Sequence, residues 1–312
     1  YALETWVNGT TNTELATLAE AMEGAASAVG YSLTNALYDS VSFSVAAQDT
    51  DPRGIAFNTD GTKMFVVGNT GDDVNEYTLS TGFDISTASY SQNFSVAAQD
   101  GFPYGIAFNT NGTKMFILGS ANDRAYQYTL STGFNLSTAS YDSVSFSVSA
   151  QDTNPFAMSF NADGTKMFVL GGTNDAVYEY ALSTGFDIST ASYSQNFSVA
   201  SQDIAPYGLA FNQDGTKMFI CGDNTNFVYQ YTLSTGFDVS TASYSSISFS
   251  ITEDADIFGL AFSSNGEKMF VVGRVNDSIY QYSTTEVSYT NQMDKTQLDA
   301  VTDPNHIALG ND

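Results

Sequence analysis

The chain has 312 residues, 34 acidic against nine Lys and Arg, for a formal net charge of −25 at neutral pH. Nucleic acid, which needs a cationic footprint, is excluded as a partner, and anionic membrane surfaces are disfavoured. A 42% hydrophobic content supports a sizeable core, Cys221 is the only cysteine, and no stretch reaches the ~20 apolar residues of a membrane span. Self-repulsion of such a surface is milder in salty water, where the Debye length falls below about 10 Å, so a saline setting is expected.

Residues 1–37 read as an N-terminal helical arm. Leu15, Leu18, Ala19, Met22, Ala25, Ala26 and Val29 recur at helical spacing from Asn12 to Val29, with Thr11–Thr13 to cap the start and Gly30 near the end. A packing or assembly role is expected for it. Tyr1 in place of an initiator Met points to a processed or trimmed start.

From Tyr38 the chain repeats. Asp60-Gly61-Thr62-Lys63-Met64-Phe65 returns with little change at Asn111–Phe116, Asp163–Phe168, Asp214–Phe219 and Asn265–Phe270, a period of 51 or 52 residues. That period suits one four-stranded unit and is too long for most helical repeats. The first unit reads as inner strand Gly54–Asn58, a hairpin turn at Thr59-Asp60-Gly61, Lys63–Gly68, Val74–Leu79, a loop over Ser80–Ser89 and an outer strand Tyr90–Val96. The inner strands are small and apolar, as crowding about a common axis requires.

The outer-strand pattern occurs five times, starting at Tyr38, Tyr90, Tyr141, Tyr193 and Tyr244, and the three-strand pattern five times, starting near Arg53, Tyr104, Phe156, Tyr207 and Phe258. The first outer strand precedes its partners, and the last triplet, ending near Tyr282, has none after it. The expected fold is an all-β, five-bladed β-propeller over 38–282 whose last blade closes from one N-terminal and three C-terminal strands, removing an exposed sheet edge. Tyr38–Asp49 and Tyr141–Asp152 are one residue longer than their three counterparts. A β-bulge or longer loop must absorb the extra residue, since a one-residue slip would turn every later side chain to the other face.

The GTKMFVVG-type strand, the Val-x-Glu/Gln-Tyr strand and the connecting Leu-Ser-Thr-Gly-Phe-Asp-Ile-Ser-Thr-Ala resemble YVTN or kelch-like β-propeller repeats of surface and virion proteins from marine bacteria and phages. The resemblance covers 38–282. The flanking Ala2-Leu3-Glu4-Thr5 and Thr290–Lys295, running to Asn305–Asp312, resemble segments of phage tail-fibre and other virion proteins. It implies binding or scaffolding, and carries no shared catalytic residues onto this chain.

Propeller ligands usually meet the rim formed by the loops entering the inner strands and those joining second to third strands. Directly before the inner strands stand Arg53, Tyr104, Phe156, Tyr207 and Phe258, so four blades offer an aromatic ring near the central mouth. Stacking on sugar C–H faces is one use, and packing between adjacent blades the competing and favoured one. The same loops repeat Asp49, Asp100, Asp152, Asp203 and Asp254, and their neighbours Asp72, Asp123, Asp175, Asn226 and Asp277. Such carboxylates could take Ca²⁺ or sugar hydroxyls, but no D-x-D-x-D-G loop is present, and Asx-turn capping explains single loop Asp residues better. No cofactor or resident metal is therefore expected. Lys63, Lys114, Lys166, Lys217 and Lys268 start a strand on the opposite rim and are given no chemistry. Cys221 aligns with Val67, Leu118, Leu170 and Val272 and is expected to be a buried apolar residue.

His306 is the only histidine and lies in the C-terminal segment, so the repeats hold no Ser-His-Asp or Cys-His pair. A glycosidase would need an acidic pair in one blade, and the inner strands GIAFN, AMSFN, GLAFN and GLAFS carry no acid. The expectation is a non-enzymatic adhesin, extracellular or on a virion, that binds a surface glycan or protein receptor through the rim at several weak sites. The alternatives are a structural subunit of a tail, fibre or filament, assembling through residues 1–37 and 283–312, and a glycan-cleaving enzyme. Residues 283–312 read as an extended stretch, a short helical run near Met293–Val301 and a break at Pro304, ending as a piece of a larger protein would.

Overall fold

A computed structural model describes residues 26–289. Among them, five four-stranded antiparallel sheets form a five-bladed β-propeller. Blade 1 comprises Pro52–Phe57, Lys63–Gly68, Asp73–Leu79 and Ala88–Ser95; blade 2, Pro103–Phe108, Lys114–Gly119, Arg124–Leu130 and Ala139–Ser147. Blade 3 comprises Pro155–Phe160, Lys166–Gly171, Ala176–Leu182 and Ala191–Ser198; blade 4, Pro206–Phe211, Lys217–Gly222, Phe227–Leu233 and Ala242–Ser250. Blade 5 joins Ile257–Phe262, Lys268–Gly273 and Ser278–Ser283 to Leu37–Ser44, the 3+1 closure expected from the sequence. Inner strands begin two residues earlier than the pattern suggests. In four blades they open on Pro, whose missing N–H is harmless at the first position of a strand.

The core lies between blades and not within them. Each buried cluster draws on two neighbouring blades, as Phe65 and Val67 of blade 1 do with Ile106 and Met115 of blade 2. One aromatic pair repeats around the ring: Phe65–Phe108, Phe116–Phe160, Phe168–Phe211 and Phe219–Phe262 at 4.6 Å between centroids, and Phe270–Phe57 at 4.4 Å. The last pair joins blade 5 to blade 1. Cys221 is fully buried in one such cluster, as its aligned positions predict.

The loops between third and fourth strands latch the blades together. Phe83, Phe134, Phe186 and Phe237 adopt φ of 55–59°, a left-handed backbone that costs a bulky residue energy. Each donates its N–H to the turn glycine (Gly61, Gly112, Gly164, Gly215; 3.0 Å), and its ring covers that glycine. In blade 5 the N-terminal segment supplies the missing loop. Tyr31 takes φ 61°, donates to the Gly266 carbonyl at 2.6 Å, and packs its ring on Phe262, while Leu33 is buried. Three of the repeat lysines complete the latch from the rim opposite the entry loops: Lys63 pairs with Glu76 at 2.8 Å and donates to the Phe134 carbonyl of the next blade at 2.6 Å, and Lys166 does the same to the Phe237 carbonyl. Lys217 reaches the Tyr31 carbonyl at 3.0 Å.

Bulges absorb the irregular spacing, as expected. Outer strands of blades 1 and 3 skip one residue between Tyr and Gln, whereas those of blades 2, 4 and 5 skip two, with Ser143, Ser246 and Ser40 in the left-handed region. The long bulge of blade 4 is invisible in the spacing because the following entry loop, Ile251–Asp254, is one residue shorter than Val45–Asp49.

Gly30–Thr285 forms one compact unit. Of the second unit the described part is a two-stranded antiparallel ladder, Ala26–Val29 against Glu286–Tyr289. The helix expected over Asn12–Val29 is corrected at its end: Ala26–Val29 is strand, with its backbone groups paired across the ladder instead of along a helical turn. The rest of that helix and the run near Met293–Val301 lie outside the described residues.

Candidate functional site

The five residues predicted at the mouth converge on the ring axis. Each is the second residue of its inner strand and shares a face with Ile55, Ile106, Met158, Leu209 or Leu260 two positions on. Tyr104–Phe156, Phe156–Tyr207 and Tyr207–Phe258 have ring centroids 5.0, 4.4 and 4.0 Å apart. The Arg53 guanidinium closes the circle, 4.2 Å from the Phe258 centroid and 4.8 Å from that of Tyr104. Together they plug the channel across its axis, so the rings pack between adjacent blades, the favoured use, and do not stand free as stacking platforms. Phe156, Phe258 and Arg53 are buried, and Tyr104 and Tyr207 half-buried. Burial first, and then the charge of Asp223, push the Tyr207 phenol up to about 12. Beneath the plug is a void of about 30 Å³, and the opposite end of the channel holds a pocket of about 300 Å³ whose lining includes Ile55, Ile106, Met158, Leu209 and Leu260 together with the polar Thr110, Ser159 and Asn161.

The entry-loop aspartates are structural. Asp100 accepts from the N–H of Phe102 (2.9 Å), Ala121 (3.2 Å) and Asn122 (3.1 Å), so one carboxylate ties the entry loop to the loop between second and third strands. Asp49, Asp152 and Asp254 make the same three backbone bonds, and Asp203 holds Ala205 N–H and the Thr225 hydroxyl. All five are buried. The repeat glycine ending each second strand lies against this carboxyl group, where a Cβ would collide with it. The second acidic series, Asp72, Asp123, Asp175, Asn226 and Asp277, sits at φ 46–56°, a backbone that Asp and Asn tolerate best among residues with a Cβ. Burial, with repulsion from the entry-loop aspartates, holds the four carboxyls above the usual range. Among the described residues no three Asp, Glu, His or Cys side chains are arranged to hold a metal ion.

What the sequence reading missed is a departure from five-fold repetition. Two residues after the entry-loop aspartate the blades carry Asp51, Phe102, Asn154, Ala205 and Asp256, and directly after the second strand Asn69, Ser120, Gly172, Asp223 and Arg274. The charged members fall in blades 4, 5 and 1, which are contiguous around the ring, and meet Arg53 in one notch. Arg53 Nη2 donates to Asp51 Oδ2 at 2.7 Å, which also receives Asn69 Nδ2 at 3.3 Å. Arg274 Nε donates to Asp256 Oδ2 at 2.6 Å, and its guanidinium stacks on Phe258 at 5.3 Å, so two arginines flank one ring. Asp223 faces Asp256 across the blade 4–blade 5 boundary. Burial, a hydrogen bond shared with Asp256 and the charge of Asp256 push Asp223 up to about 6. Column-by-column alignment of the repeats would have exposed these substitutions, because they stand against a background of near identity.

Around the notch the rim carries exposed Phe102, Ile204 and Val275. Four buried polar atoms of the notch, Asp51 Oδ1, Asn69 Oδ1, Asp256 Oδ1 and Arg53 Nε, have no hydrogen-bond partner.

No family model matches the chain and no curated protein matches it. Solved structures similar to it include a Lactobacillus plantarum protein (TM-score 0.49, 10% identity, covering 76% of this chain and 70% of that one). Another is a Bacteroides uniformis protein described as a "putative 6-phosphogluconolactonase" (TM-score 0.47, 12% identity, 76% and 69%). The β-propeller domain of Myceliophthora thermophila Cps50 (Swd1) also matches (TM-score 0.42, 10% identity, 71% and 66%). The chain spans 55% of a second such Bacteroides protein and 62% of one from Desulfotomaculum acetoxidans. At these identities the likeness is one of fold, and no activity is transferred.

Proposed function

We propose that this propeller is a non-enzymatic binding domain, extracellular or on a virion, that engages a surface glycan at its plugged mouth. The observation that carries the reading is the asymmetry: repeats that agree at nearly every structural position diverge in three contiguous blades, where charged groups gather beside aromatic faces. Sugar recognition draws on that combination, hydrogen-bonding groups fixed next to an apolar ring. The acidic entry-loop ring is committed to backbone N–H groups, so a single asymmetric site replaces the several equivalent ones that the repeats suggest. The strongly acidic chain suits saline surroundings, and the terminal segments outside Gly30–Thr285 serve assembly in this reading. The Asp223–Asp256 pair fits hydrolysis poorly. Its carboxyls share a hydrogen bond, whereas retaining glycosidases hold theirs about 5–5.5 Å apart and inverting ones farther.

A glycan-array screen of the full chain tests the reading, alongside a Tyr104→Ala/Tyr207→Ala double variant with its fold checked by circular dichroism. Binding by the native chain that falls at least about tenfold, or about 1.4 kcal/mol, in the folded variant is expected. A blank array from the folded native chain would move the weight to a structural subunit.

A further inference from the structure

The notch holds a surplus of unpaired acceptors. Asp256 is 8% exposed and Arg53 7%, and each buries one polar atom with no partner. Asp51 Oδ1 and Asn69 Oδ1 add two more, so three acceptors and one donor await a partner. Buried polar groups left unpaired are rare in folded proteins because each gives up its bonds to water with nothing in return. Seven such atoms occur among the described residues, and four of them fall in this one notch, which blades 2 and 3 do not reproduce.

The electrostatics decide between ligand classes. Asp51, Asp223 and Asp256 outnumber Arg53 and Arg274, and both arginines are already paired with an aspartate. Behind them lie the buried carboxyls of Asp49, Asp203 and Asp254, held by N–H and hydroxyl donors and by no cation. An anionic sugar would therefore meet repulsion, and a cation would be drawn in by the notch and by the chain as a whole. A bare cation offers no lone pair, however, and would leave Arg53 Nε unpaired. The ligand must offer several N–H or O–H donors and, within a few Å, an oxygen that accepts.

Resting on the glycan reading above, we infer that the notch is a single site for a 2-amino sugar, whose ammonium sits among Asp51, Asn69 and Asp256. Its neighbouring ring hydroxyl accepts from Arg53 Nε, and the sugar's apolar face lies toward the Tyr104, Tyr207 and Phe258 rings. Arg274 is the movable cover. Its side chain is 42% exposed, and the ammonium takes its place on Asp256, freeing the guanidinium to donate to sugar hydroxyls.

The test is calorimetric titration of the full chain with three tetramers: glucosamine, N-acetylglucosamine and β-1,4-linked glucose. The glucosamine tetramer is expected to bind at least about tenfold more tightly than the other two, and Asp256→Asn to remove at least that factor. Asn69→Ala, at a half-buried position, provides a second reading should Asp256→Asn fail to fold. Equal affinity for the three tetramers, or an unchanged glucosamine affinity in both variants, overturns the amine seat while leaving glycan binding in place. A positive array with no tetramer bound does the same. A blank array together with three blank titrations fails the glycan reading and this inference with it.

Discussion

At the residue scale, most of what looks functional on this rim is architectural. Aspartate at five equivalent loop positions suggests an ion or sugar site, yet each carboxyl group is spent on the N–H or hydroxyl groups of two loops. The paired glycine shows how tight that arrangement is. At Gly119 an added Cβ would occupy the space of the Asp100 side chain. Gly119→Ala is accordingly expected to cost about 1–3 kcal/mol by overpacking, and more if the Asp100 bonds are lost. Urea denaturation would show it as a lower midpoint at unchanged slope. A midpoint within experimental error of the native chain would mean that the carboxyl group is free to move aside. Gly101, in the entry loop itself, would bring a Cβ no nearer than 4.0 Å to another group, Asp72 Oδ2, and serves as the control.

At the element scale, the ring depends on a segment borrowed from the far end of the sequence. Leu37–Ser44 supplies the fourth strand of blade 5, and Gly30–Leu33 fills the loop that Gly82–Ile85 fills in blade 1. Strand order, closure and the long bulges of blades 2 and 5 were legible in the sequence because each rests on local signals: a period, an alternation, a turn glycine. The loop-filling role of Gly30–Leu33 was not, since Tyr and Ser stand where the repeat has Phe and Asp, and the match emerges only at an offset of 52 residues. The notch escaped notice for a related reason. Its members are scattered over 223 positions, from Asp51 to Arg274, and only ring closure brings blade 5 against blade 1. The plug shows the opposite limit: the sequence places five residues at the mouth, but whether their rings stack on one another depends on the channel's width. Closure yields its own prediction. Leu33→Ala, at a site with 2% exposure between blades 4 and 5, is expected to destabilise the propeller by about 2–5 kcal/mol, as much as a core substitution elsewhere. Differential scanning calorimetry would report a lower Tm, and a shift under about 1 °C would show that the segment is not part of the folded ring.

At the scale of the whole molecule, acidity and stability oppose each other. Asp72, Asp123, Asp175, Asp223 and Asp277 hold their protons more tightly folded than unfolded, chiefly through burial and secondarily through neighbouring carboxyls. Between the unfolded carboxyl value near 4 and the folded Asp223 value of about 6, the folded chain binds more protons, so its stability must fall as pH rises through that window. A second group has the opposite sign. Hydrogen bonds from Thr62, Thr165, Thr216 and Ser240 hold Asp60, Asp163, Asp214 and Asp238 below the usual range, and that stabilisation disappears as pH falls below about 4. The two trends bound an optimum near pH 4, with general repulsion from the −25 charge adding to the loss on the alkaline side. These groups are largely solvated, so the effect is screened. Tm is expected to be about 2–5 °C higher at pH 5 than at pH 8 in low salt. Raising NaCl toward 1 M, where the Debye length shrinks to about 3 Å, should narrow the gap by stabilising the pH 8 sample. Asp223→Asn should flatten the profile between pH 4 and 6, because burial and the neighbouring Asp256 push that carboxyl up to about 6. A Tm that is level or rises from pH 5 to 8 at low salt would show that the carboxyls of the rim do not repel one another in the folded chain, and the net-negative notch would lose its physical basis.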